Sequence, residues 1–175
     1  MPNWVKNNVS VTGDKVAVDL FAQRHFTLID KEIESTIEFD FNTIKSMSDK
    51  VFKGDLGQEE LEKYGSDNWY NWSINNWGTK WNACDTYIEG MTEFSDSTAE
   101  LRFSFNTAWS CPEPIYSEIS KLYPNLSFDV EFADEDIGNN CGTIMISDGD
   151  VSIDYMNDTE FANDVWGYEA EEEDV

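Results

Sequence analysis

The chain has 175 residues and a formal net charge of −25, with 36 acidic side chains against 11 Lys and Arg. Hydrophobic residues make up 40% and aromatics 14%, enough for one core of ordinary size, which excludes a solvated acidic tail. Charge of this sign opposes direct contact with nucleic acid or an anionic membrane, and no stretch nears the roughly 18 apolar residues of a membrane span.

In chain order, "NNVSVTG" alternates and reads as a strand ending at Gly13. Asp14 caps a helix whose apolar residues Val16, Ala17, Leu20 and Phe21 recur at helical spacing. "STIEFDFNTI" sets Ile37, Phe39 and Phe41 against Glu38, Asp40 and Asn42, as a strand with one buried and one wet face would. Residues 45–82 break this rhythm and read as an insertion. It holds a short helix at 58–64 and four of the seven tryptophans, Trp69, Trp72, Trp77 and Trp81. A strand pair follows at 86–94 and 99–106, where Leu101, Phe103 and Phe105 alternate cleanly. "SCPEPIYSEISKLYP" is the clearest helix: Ser110 and Glu113 fit a capping box, and Ile115, Ile119 and Leu122 form an apolar stripe. "LSFDVEFA" is the clearest strand, with Leu126, Phe128, Val130 and Phe132 on one face and Ser127, Asp129 and Glu131 on the other. "CGTIMISDGDVSIDY" reads as a hairpin turning at Asp148–Gly149, residues 161–168 as a helix, and 169–175 as an acidic tail.

This order predicts an α+β fold, a ferredoxin-like βαββαβ antiparallel sheet with helices on one face. The Trp-rich insertion and an extra C-terminal hairpin and helix complete a single domain spanning 1–168. The start of the chain has no apolar run of the secretory kind, so a cytoplasmic protein is expected. Cys84, Cys111 and Cys141 are odd in number and widely spaced, which favours free thiols over a disulfide framework.

Chemistry-bearing patterns are few. His25 is the single histidine, so a His-based metal site or a Cys/His nucleophile has little to build on. There is no phosphate-binding glycine loop, no zinc pattern and no iron–sulfur spacing, and neither catalytic residues, a metal nor a cofactor is expected. Asp148, Asp150 and Asp154 cluster near one turn but lack the offsets of a calcium loop. The tryptophans admit two readings. They anchor the insertion as a local core, at up to about 250 Å² of buried surface each. Alternatively Trp69, Trp72, Trp77, Lys80, Trp81, Asn82 and Trp109 line a cleft that stacks a small or carbohydrate ligand.

Four blocks, "MPNWVKNNVSVTG", "NWYNWSINNWGTKWNA", "FNTAWSCPEPI" and "LSFDVEFADEDIG", together resemble the YubB family. That resemblance implies a ferredoxin-like domain, with no iron–sulfur chemistry, carried by plasmids and phages. It suggests a role in the contest between mobile element and host.

The charge is unevenly spread. After Lys121 there is no Lys or Arg, against sixteen Asp and Glu. Strand residues two apart project on one side about 6.7 Å from each other, so ordered acid rows can imitate the phosphates of duplex DNA. The expected function is therefore a non-enzymatic inhibitor. It would bind a basic, nucleic-acid-binding host protein, without touching nucleic acid or membrane itself. Its candidate surface is Glu38, Asp40, Asp129, Glu131, Asp134, Glu135, Asp136, Asp148, Asp150, Asp154, Asp158, Glu160 and Asp164. A plain acidic solubilising coat is the alternative reading of the same residues.

Overall fold

The computed structural model describes residues 2–30 and 35–168. The acidic tail expected at 169–175 lies outside them. Strand β1 (Trp4–Asp14) leads into helix α1 (Lys15–His25), then β2 (Phe26–Asp30) and β3 (Ser35–Phe39). A single 3-10 turn (Phe41–Thr43) and helices α2 (Gln58–Tyr64) and α3 (Trp69–Trp77) follow. The chain continues through β4 (Cys84–Glu93), β5 (Thr98–Ala108), α4 (Glu113–Leu122), β6 (Ser127–Asp134), β7 (Cys141–Ser147), β8 (Asp150–Met156) and α5 (Thr159–Trp166).

Six strands form one antiparallel sheet in the order β4-β5-β1-β6-β7-β8. The ferredoxin-like core is β1-α1-β4-β5-α4-β6, and the β7–β8 hairpin extends one side. Register explains the layering. Asn7, Val9 and Val11 of β1 sit level with Phe105, Phe103 and Leu101 of β5 and with Phe132, Val130 and Phe128 of β6. All of these side chains are buried on one side of the sheet. There Val18 and Phe21 of α1 and Ile115, Tyr116 and Ile119 of α4 cover them in one continuous core.

Several expectations are corrected. The strand read at Ile37–Phe41 is not part of the main sheet; β3 pairs only with β2, in a separate two-stranded sheet. The sides of β3 also differ in part from the reading: Phe39 is buried as expected, but so is its neighbour Glu38. Glu38 is buried while Ile37 is about half exposed, because the Glu38 carboxylate accepts from the Thr86 backbone N–H at 3.0 Å and the Thr36 hydroxyl at 3.2 Å. Phe41 is buried from the 3-10 turn instead. The second strand of the ferredoxin-like core is β4, so the segment outside the sheet runs over 26–83 rather than 45–82.

The expected start of α4 changes too. Pro112 occupies the N-cap without a side-chain bond, and the Ser110 hydroxyl donates to the Gly78 carbonyl instead. In α1 the buried residues are Val18, Phe21 and His25, while Val16 and Leu20 point to solvent. Finally, the helices do not all share one side. Asn8 Nδ2 donates to the Val165 carbonyl at 3.0 Å, and Asn8 faces away from the core. Helix α5 therefore packs on the opposite side, over Ala133 and Cys141.

Candidate functional site

Where α5 stops, the outer side of the sheet stays open. Its side chains stand in cross-strand rows fixed by register. One row runs Asp154, Thr143, Glu131, Asn8, Ser104 and Tyr87; the next runs Ser152, Met145, Asp129, Ser10 and Arg102. Alternation along β6 and β8 puts Asp129 with Glu131, and Asp150 with Asp154, on this side. Twist hollows the middle of the sheet into a concavity of about 460 Å³, bordered by Asp129, Glu131, Glu89, Arg102, Asn8 and Met145.

Two cations on this side are already engaged. Lys6 Nζ lies 3.4 Å from the Trp166 carbonyl and 5.9 Å from the Trp166 ring centre, so it stabilises the negative C-terminal end of α5. Arg102 Nε lies 3.0 Å from Glu100, which also accepts from the Ser10 hydroxyl at 2.6 Å. These hydrogen bonds, Ser10 first and Arg102 second, lower the Glu100 carboxyl below its usual range. Strands β6, β7 and β8 carry no Lys or Arg at all. The open surface is thus negative, most strongly on its β6–β8 half.

The structure divides the thirteen predicted acids. Asp129, Glu131, Asp150 and Asp154 share the open side. Glu38 is buried and structural, as described. Asp40 is half-buried: it caps the 3-10 turn and accepts from Asn82 Nδ2 at 2.8 Å. Asp134 is buried and accepts from Asn3, from Asn140 and from the Asp136 N–H. Glu135 accepts from the Trp4 N–H, and Asp136 from Asn139. Asp158 caps α5 through the Phe161 N–H at 3.0 Å, while Glu160 and Asp164 are exposed on that helix. Asp148 sits in the β7–β8 turn with φ of +53°. It does not converge with Asp154, which lies four strand residues, about 13 Å, beyond Asp150. Among the described residues no group of three or more His, Cys, Asp or Glu is placed to hold a metal ion. Glu89 and Glu100 escaped sequence reading, although Glu100 alternates with Ala99 and Leu101 as β5 requires.

The predicted tryptophan cleft also divides. Trp77 is buried and donates from Nε1 to the Lys45 carbonyl at 2.9 Å; Trp72 meets it edge-on at 5.2 Å. Trp69 donates to the Gly54 carbonyl. Asn82 Oδ1 accepts from the N–H groups of Phe41 and Ala83. These residues act as a local core and stitching for 26–83. Only Lys80, Trp81 and Trp109 gather at the surface, with Lys80 Nζ 4.5 Å from one indole centre and 4.9 Å from the other.

His25 is fully buried between Thr43 Oγ1 at 2.7 Å and the Tyr123 hydroxyl at 2.5 Å. Burial, with Arg24 adding to it, lowers its pKa to about 4. Cys111 is buried and its thiol is pushed well up by burial, which keeps it in the unreactive neutral form. No helix among the described residues is long and apolar enough to cross a membrane.

Fold and surface together define an α+β protein of the ferredoxin-like class with one side of its sheet left open. Residues 76–175 match the family described as the ferredoxin-like domain in Api92-like protein, and the chain belongs to that family. A solved structure of the protein Api92 from Yersinia pseudotuberculosis is similar, with a TM-score of 0.61 at 9% identity, covering 90% of this chain and 100% of that one. At that identity the likeness is one of fold. No curated protein matches the chain. This membership corrects the YubB resemblance, and the plasmid and phage setting inferred from it falls as well. The "NWYNWSINNWGTKWNA" block that suggested it holds helix α3, its Gly78 C-cap and the segment beyond, and local packing accounts for Trp69, Trp72 and Trp77.

Proposed function

We propose that this protein is a non-catalytic binding protein that presents the open side of its sheet to a basic, nucleic-acid-binding protein. One observation carries the reading: Asp129, Glu131, Asp150 and Asp154 stand in register on the open side, on strands that lack any cation. Carboxylates held on strands lose little freedom on binding, unlike those of a mobile tail, so complementary charge is met at low entropic cost. Asp129 and Glu131 stand about 6.7 Å apart along β6, and Asp150 and Asp154 lie two strands, about 9.6 Å, across the sheet on β8, a spacing that basic side chains of one partner surface can span. A solubilising coat would need no such order.

The test is capture of partners from lysate followed by competition. For a purified captured protein, duplex DNA should displace this chain, and affinity should fall steeply with salt. A partner that binds DNA and this chain at once would contradict the DNA-like part of the reading.

A further inference from the structure

A second site lies at the end of the sheet where β1 begins and β5 ends. Trp81 and Trp109 are 38% and 42% exposed, high for the side chain with the largest apolar area. Their presentation is built rather than incidental. Thr79 Oγ1 donates to the Ala108 carbonyl at 2.7 Å, and Ser110 Oγ to the Gly78 carbonyl at 2.5 Å, which ties residues 78–81 to residues 108–110. Trp109 has φ of +71°, a left-handed conformation that a bulky side chain rarely adopts.

That conformation is clamped from both sides. The Trp109 N–H donates to the Asn3 carbonyl at 2.9 Å, and the Trp109 carbonyl accepts from Asn140 Nδ2 at 3.1 Å. Both asparagine amides also donate to the buried carboxylate of Asp134, at 3.1 and 2.9 Å. Asp134, predicted from sequence as part of a docking surface, is thus a positioning residue for an exposed indole. Backbone strain held this way is characteristic of ligand sites.

The charges select the ligand class. Lys80 already occupies the cation position over both rings, so a cationic ligand meets repulsion. The net charge of −25 and the neighbouring Glu135 and Asp136 disfavour an anion. A neutral ligand remains, one with a flat C–H side to stack on indole and hydroxyls to accept from the ammonium. We infer that Lys80, Trp81 and Trp109 form a carbohydrate-binding site for a neutral pyranose chain. The ammonium yields its place over one ring and becomes a hydrogen-bond donor to the sugar hydroxyls.

The test is tryptophan fluorescence titration of the full chain with cellopentaose, with chitopentaose and with maltopentaose. Saturable quenching by at least one sugar at millimolar concentration, unchanged by salt, is expected. Trp109→Ala and Trp81→Ala should each weaken it tenfold or more while the urea unfolding midpoint shows both variants folded. An Asp129→Asn/Glu131→Gln variant should bind sugar like the parent, which separates this site from the acidic surface. Absence of saturation with all three sugars, or binding that survives Trp109→Ala, would overturn the assignment.

Discussion

His25 spans α1, the 3-10 turn and the end of α4 through its two ring nitrogens. Its role is structural, and it makes stability depend on pH. The folded pKa of about 4 lies below the unfolded value of 6.5. Between those values the unfolded chain binds a proton that the folded chain refuses. The contribution is therefore complete above pH 6.5, falls as pH drops through the window, and is lost near pH 4. At about 1.4 kcal/mol per pKa unit the loss is on the order of 3 kcal/mol. Urea unfolding at pH 7 and at pH 5, part-way through the window, should show about 2 kcal/mol of this drop for the parent, and a His25→Gln variant should show a smaller one. Equal pH dependence in both would remove His25 as its cause. The sequence marked His25 as unusual only by being alone; that it is buried follows from the rotation of α1, which leaves Leu20 outside.

Among elements, those carried by a strong local pattern were legible. Strand β6 alternates as far as Phe132, and the β7–β8 turn falls at Asp148–Gly149 as read. Asp14 caps α1 through the Val16 and Ala17 N–H groups, also as read. Strand β3 was legible only in part: Phe39 is buried as its alternation implied, but a distant group, the Thr86 N–H, draws Glu38 inside as well, and Ile37 stays about half exposed. Helix α3 was missed because Asn and Trp are weak helix formers; Asn68 at its N-cap and Gly78 at φ of +77° fix its ends. On the open side the pattern found Asp129 and Glu131, but not the loop and cap duties of Asp134 and Asp158, which only tertiary neighbours reveal.

The β7–β8 extension depends on Gly142. A Cβ there would lie 2.2 Å from the Asp154 carbonyl oxygen and 3.0 Å from the Phe132 ring. The glycine lets the Phe132 and Tyr155 rings meet edge-on at 5.6 Å across it. Gly142→Ala should force the two strands apart and destabilise by about 1–3 kcal/mol. Hydrogen exchange should rise across Asp150–Met156 and stay low in β1. Unchanged protection of β8 would refute this role.

At the scale of the whole molecule, charge is segregated by topology. The order β4-β5-β1-β6-β7-β8 puts the cation-free C-terminal third on one side of the sheet. The engaged cations Arg102 and Lys6 lie on β5 and β1. The outer side of β6–β8 therefore stays negative, with α5 covering only its end. Such a surface attracts a basic partner and repels a second copy of itself. The site proposed at Trp81 and Trp109, at the end of the same sheet, rests on different residues.

The central claim is that ordered carboxylates on the open side hold a basic partner. Its most direct test is calorimetric affinity for the captured partner with the parent and with an Asp129→Asn/Glu131→Gln/Asp150→Asn/Asp154→Asn variant. At of order 1 kcal/mol per lost charge pair, the account predicts a loss of about two to three decades in affinity, with a shallower salt dependence. Affinity and salt dependence equal to the parent's would contradict it and leave these carboxylates as a solubilising coat.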